Sequence, residues 1–339
     1  MPTLDVFKAD AFSLTSLTEA FIKAPYQPGR LGQLGLFRER GITTTTVMVE
    51  EKAGQLSLIG VSPRGGVPDS IGKPKRTARS FIVPHLERIG HVTADEVQNV
   101  RAFGSENEAQ AVQTIVNQVL ADLRAMHEVT LEYHRMGAIQ GVILDADASS
   151  TIYNLFTEFD VLQNTGAIAF SVATTDIRNK IIAILRLIET ELGGTVASSY
   201  RGFCGATFFD ALVGHATVKD AFRYQQGVMF GQDLRTAGFS FGGVTWEEYR
   251  GSVTTADGSD SAAFINASQA FIVPVTNPSL FVTNFAPADF METVNTVGLP
   301  GYAKQAIDPK YQKYVDILTQ SNPLNLCLRP RAVYRATMS

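Results

Sequence analysis

Few residues in this chain combine the type and the spacing that chemistry needs. His127 and His134 stand seven apart in a helical stretch and share a face, which is how a metal site could begin, with further ligands from elsewhere. No His-Glu-x-x-His motif accompanies them, so ordinary half-buried helix histidines are the better reading. His85, His91 and His215 are scattered. Asp145 and Asp147 in LDADAS open like a calcium loop but lack the later glycine and terminal glutamate, so a hairpin turn accounts for them. Glu50/Glu51 and Glu247/Glu248 each sit in a strand, where neighbouring side chains point to opposite faces, and read as solvated edges. Cys204 and Cys327 are far apart in apolar settings without Cys-x-x-Cys spacing, which predicts buried thiols and no disulfide. The sequence has no phosphate loop, no Gly-x-Ser-x-Gly elbow and no dinucleotide fingerprint. It therefore nominates no catalytic, cofactor-binding or metal residue.

One cluster remains. Arg64, Lys73, Lys75, Arg76 and Arg79 lie among glycines and prolines in a long excursion between two alternating segments. Five cations without interleaved aromatics at a loop tip suit carboxylates on a neighbouring chain at least as well as nucleic acid. The net charge of −4 gives the whole chain no general attraction to a polyanion. There is no signal-peptide pattern and no apolar run of membrane-spanning length, which predicts a product made and kept in the cytoplasm, or leaving by a route other than secretion, with no membrane partner.

The elements that must carry that cluster read as follows. The chain has 339 residues, 45% of them hydrophobic, enough for one large elaborated domain or two ordinary ones. Residues 1–40 form an arm with a short helix over SLTSLTEAFIKA, after which Pro25, Pro28, Gly29, Gly32 and Gly35 break every period. The arm has no core of its own and must lie on another part of the fold or on another chain. From Gly41 the period is two: Thr43, Thr45 and Val47 share one face of an outgoing strand, and Phe81 and Val83 lie in the returning one. Bare edges of such strands invite another chain. A helix follows, with Ser105 and Glu108 as a capping box and Val112, Ile115, Val116, Val119, Leu120, Leu123 and Met126 at three- and four-residue spacing. It is expected to run unbroken to Arg135 and to end at Gly137, with Val112, Val116, Val119, Leu123 and Met126 buried and Gln113, Asn117, Asp122 and Arg124 more exposed. A hairpin comes next. From Thr174 strands and helices alternate in an α+β pattern with a mixed sheet, and RPRAVYRAT closes the chain with a strand able to rejoin the hairpin after the long helix.

This order of parts resembles the Hong Kong 97-type capsid fold. The stretches FKADAFSLTSLTEAF, APYQPGRLGQLGLFRERGITTTTVMVEEKAG, FIVPHLERIGHVTADEVQNVRAFGSENE, RMGAIQGVILDADASSTIYNLFTEF, CGATFFDALVGH, FAPADFMETVNTVGLPGYAKQ and TQSNPLNLCLRPRAVYRAT resemble the major capsid proteins of tailed phages and prophages in the lambda capsid protein E family, from Asp5 to Thr337. The resemblance implies an N-terminal arm (1–40), an extended β-hairpin loop (41–85), a peripheral domain with a spine helix (86–173, rejoined by 301–339) and an axial domain (174–300). It implies a non-enzymatic subunit without cofactor that self-assembles into pentamers and hexamers of an icosahedral head enclosing double-stranded DNA. A separate scaffold protein and a portal would be its partners, with a decoration protein as a further one and the DNA held non-specifically on the inner face. Its place would be the virion capsid, after assembly in the host bacterial cytoplasm. The loop strands (Thr43, Thr45, Val47, Phe81, Val83) and the basic tip would lie over the adjacent subunit. An encapsulin-type compartment shell and, less favoured, a soluble α+β enzyme are the alternatives.

Overall fold

The computed structural model describes residues 13–24, 29–52, 76–97, 108–224, 235, 238–255, 258 and 261–338. They fall into two compact units, each built from separated stretches of chain.

The first unit takes residues from the arm, from 82–135 and from 282–326. Its centre is an antiparallel sheet in the order Tyr302–Ile307, Tyr314–Ser321, Leu86–Thr93, with Tyr302 opposite Gln320 and Tyr314 opposite Thr93. Alternation puts Ala303, Val315, Ile317 and Val92 on one face, where they meet Val112, Val116, Leu120 and Leu123 of the long helix and Leu17 and Phe21 of the arm. Gly90 leaves room for this contact: a Cβ there would come within 2.6 Å of Val119. The arm helix, Leu14–Lys23, starts where Ser13 accepts a hydrogen bond from the Ser16 amide at 3.3 Å. Thr18 fastens it by accepting from the Ala303 amide at 3.2 Å. The described part of the arm therefore lies on its own chain. A second three-stranded sheet, Phe37–Gly41, Phe281–Phe285 and Pro323–Cys327, places Phe281–Phe285 in the middle.

The long helix is Glu108–Gln140, 33 residues and roughly 50 Å at about 1.5 Å per residue. Ser105 lies outside the described residues. The helix runs through Gly137 and stops at Gly141, whose φ of 85° no larger residue adopts easily. Gly137 is required for close approach, since a Cβ would sit 2.9 Å from the Val142 carbonyl. Two other expectations are reversed. Met126 is half exposed, and Arg124 is buried because its guanidinium lies over the Phe21 ring, 5.4 Å from its centroid, and pairs with Glu128 at 2.7 Å. Val112, Val116 and Leu123 are buried as the period predicts, Val119 only in part.

The second unit, from 48–81, 136–281 and 327–339, is organised by a six-stranded mixed sheet. Its order is Asn164–Ala167, Tyr334–Thr337, Gln269–Thr276, Ala197–Cys204, Val244–Glu248, Phe239–Phe241, with parallel pairing at the first and fourth junctions. The helices Ile177–Leu192 and Ala206–Gly214 supply buried apolar faces. Trp246 is fully buried, its ring against Gly202 and stacked on Phe208, and its indole N–H donates to the Phe241 carbonyl at 3.0 Å. Phe239–Phe241 and Val244–Glu248 form a hairpin, turned by Gly242 and Gly243, both at positive φ. The last strand, Tyr334–Thr337, does not rejoin the hairpin after the long helix. It inserts between Gln269–Thr276 and Asn164–Ala167, where both its edges find partners and Ala336 is fully buried.

Candidate intersubunit surface

The excursion is rooted in a two-stranded ladder of Thr46–Lys52 with Arg76–Ile82. Arg64, Lys73 and Lys75 lie outside the described residues, and Arg76 opens the returning strand. The ladder begins later than the threonine run suggests. Thr43 and Thr45 are exposed and precede the strand, while Thr44 donates to the Thr46 carbonyl at 2.7 Å, a local side-chain bond that competes with strand pairing. The Val83 amide closes the ladder on the Thr45 carbonyl at 2.9 Å.

The parity of the strands is the informative feature. Val47, Phe81 and Val83 are buried within this chain. Phe81 is fully enclosed, with Tyr153 at a 5.4 Å ring separation and Phe159 at 5.8 Å. Arg79 is half-buried with its guanidinium 5.2 Å from the Phe159 centroid, so its cation is engaged inside the chain. The residues of opposite parity, Met48 at 68% and Ile82 at 66% exposure, present the apolar face outward. A period of two divides the side chains into two sets without saying which set faces in. Val47, Phe81 and Val83 anchor the root, and Met48 and Ile82 are its apolar residues turned to solvent.

The other chemistry-bearing residues do not converge. His127 is buried, its edge against Phe21, and its Nε2 donates to Thr319 Oγ1 at 3.1 Å, since that hydroxyl gives its own proton to the Arg88 carbonyl. Burial first and the Arg124 charge second push its pKa down to about 4. Burial raises Glu128 above the usual carboxylate range. His134 is also buried. Asp145 and Asp147 do form a turn: Asp147 accepts from the amides and hydroxyls of Ser149 and Ser150, bonds that hold its carboxyl far below the usual range. Glu247 is not a solvated edge. Its strand is paired on both sides, and it is buried 3.7 Å from Arg201. Cys204 and Cys327 are buried free thiols, with burial pushing Cys327 up to about 12. Among the described residues no group of three or more His, Cys, Asp or Glu could hold a metal, and no helix is long and apolar enough to cross a membrane.

A long helix laid on a small antiparallel sheet, a six-stranded mixed sheet and a hairpin rooted by one face only are together the α+β capsid fold of the Hong Kong 97 type. The same fold is seen in the solved structure of a prophage capsid protein from E. coli CFT073, which matches with a TM-score of 0.58 over 99% of this chain and 97% of that one, at 13% identity. The family model for phage major capsid protein E matches residues 13–338, and the chain belongs to that family. The major capsid protein of Pseudomonas phage KPP10 is 29% identical over 340 residues, 96% of each chain, and that of Salmonella phage Felix O1 is 27% identical over 351 residues, 94% of each. The chain is thus a head-shell subunit of the virion that works by self-association.

Proposed function

We propose that this non-enzymatic subunit builds its shell by laying the excursion of residues 41–85 over an adjacent copy. The observation that carries the reading is the parity of the root: one face is anchored by Phe81 on Tyr153 and Phe159, while Met48 and Ile82 are left outward on a strand pair that no third strand joins among the described residues. Thr43, Thr45 and the cations Arg64, Lys73, Lys75 and Arg76 complete the proposed contact; Val47, Phe81, Val83 and Arg79 hold its base. The proposed domains are the arm (1–40), the loop (41–85), a peripheral domain (86–173 with 301–339) and an axial domain (174–300). Assembly of pentamers and hexamers in the bacterial cytoplasm around a separate scaffold and a portal, with DNA on the inner face and a decoration protein outside, completes the reading.

Replacing residues 53–75 by a two-residue turn keeps both root strands. The variant should fold, with an unchanged cooperative melt by circular dichroism, and should form no closed shells by electron microscopy. Normal shells from this variant would refute the intersubunit role of the loop.

A further inference from the structure

The segment between Ala286 and Gly301 belongs to neither the hairpin nor a sheet, yet it is tightly built. The Thr293 hydroxyl donates to the Ala288 carbonyl and the Thr296 hydroxyl to the Thr293 carbonyl, both at 2.7 Å. The Leu299 amide donates to the Tyr302 hydroxyl at 2.9 Å, and Ser321 donates to the Pro300 carbonyl at 2.7 Å. Phe290 and Ala288 pack on Tyr302, and Glu292 is neutralised by Lys304 at 2.7 Å. A loop held this firmly nevertheless presents four large apolar side chains to solvent: Met291 at 89% exposure, Val294 at 59%, Val297 at 61% and Leu299 at 40%. A preordered apolar surface loses little entropy on binding and gains by leaving water.

We propose that this loop is a second intersubunit contact, in which Met291, Val294, Val297 and Leu299 are buried against another copy of this chain. Residues 289–299 contain no Lys or Arg, so a polyanion has nothing to bind there. The loop is continuous with the exit of the excursion: the Gly298 amide donates to the Ile42 carbonyl and the Ile42 amide to the Phe285 carbonyl, both at 2.8 Å. At Gly41 a Cβ would overlap the Gly298 carbonyl at 2.3 Å, so the chain leaves for the hairpin directly against the apolar loop. A hairpin laid on a neighbour brings that neighbour's surface to its own point of departure, and on this the inference rests on the function proposed above.

The wild-type protein carries its own probes. Met291 reports the loop, and Met48 reports the hairpin root. Peroxide oxidation of these thioethers, followed by mass spectrometry, can be timed in shells containing only this chain and in unassembled subunits from the same lysate. Met291 oxidation should be about tenfold slower in the shell. Equal rates would overturn the inference, and so would protection that appears only in shells carrying a second protein. Protection of Met48 without Met291 sinks this contact and leaves the hairpin reading intact; protection of Met291 without Met48 does the reverse. As a second measurement, Val294→Asp with Val297→Asp should leave the subunit's melt unchanged and abolish shells, and normal shells from that variant would also overturn the inference.

Discussion

Acidification should weaken the seam between the arm and the long helix through His127. The imidazole is buried beside Phe21 and Arg124, and folding moves its pKa from 6.5 to about 4. Below pH 6.5 the unfolded chain takes up a proton that the folded chain resists, so the stability from this group is present above 6.5 and is lost as pH falls toward about 4. A shift of this size corresponds to about 3 kcal/mol in full, and to about 2 kcal/mol between about pH 7 and pH 5. Glu128 acts with the opposite sign. Its carboxyl is raised by burial, so the folded chain keeps a proton that the unfolded chain gives up, which partly offsets the histidine at the acid end of the window. Urea denaturation of unassembled subunits at the two pH values, for the wild type and His127→Gln, isolates the effect. Gln can still donate to Thr319 but does not titrate, so the wild type should lose about 2 kcal/mol more than the variant, and Glu128→Gln should steepen the wild-type loss. Equal losses in wild type and His127→Gln would refute the argument.

Three further outcomes follow from the geometry. Phe81→Ala removes the ring enclosed by Tyr153 and Phe159 and should cost about 3–5 kcal/mol in urea denaturation; a cost under about 1 kcal/mol would show that the root is not anchored there. Gly202→Ala places a methyl 2.3 Å from the Trp246 ring, which is too buried to yield, and should destabilise by at least about 1–3 kcal/mol with a shift in tryptophan fluorescence; an unchanged melt and spectrum would contradict the packing. Changing Arg64, Lys73, Lys75 and Arg76 together to Gln should lower the shell's melting temperature at low salt and leave subunit folding intact, since pairs worth about 0–1 kcal/mol each are repeated at every subunit. A shell that melts identically at low salt would remove these cations from the contact.

How far the sequence could be read depended on whether the deciding partner was near or far along the chain. Val112, Val116, Leu120 and Leu123 declared one face of a helix through their period, and the structure buries that face. Arg124 and Met126 were exchanged because Arg124 is satisfied by Phe21 and Glu128, and the arm that supplies Phe21 is about a hundred residues away in sequence. Gly137 and Gly141 look alike in the sequence, and only the approach of Val142 to one and the positive φ of the other assign their tasks. The hairpin's alternation was plain, but its inward face is chosen by Tyr153 and Phe159, which lie far downstream. Glu247 read as an edge because nothing local says that strands pair on both sides of it. The loop of Met291 to Leu299 has no period at all, so its exposed apolar residues could be recognised only once the frame beneath them was known.

The polar groups gathered where the arm crosses the long helix explain how so short a segment is held in one place. Glu132 accepts from the Leu31 amide at 2.6 Å, and Gly29 is needed beside it because a Cβ would fall 2.3 Å from the Glu132 carboxyl carbon. Arg135 pairs with Glu39 at 2.5 Å, lies over the Phe37 ring and reaches the Thr283 hydroxyl at 3.4 Å. Arg40 donates to Asn284 at 2.5 Å. A half-buried ion pair and charged hydrogen bonds of this kind add little net stability, because desolvation and solvent screening offset most of their attraction. What they add is direction, since an apolar arm could slide by a residue along an apolar helix face and an arm read out at Leu31, Glu39 and Arg40 cannot. The residue after this fixed run is Gly41, where the excursion departs. The contacts at Glu132, Arg135 and Asn284 therefore set the point from which the excursion departs, and the intersubunit role proposed for the excursion needs that point to be the same in every copy.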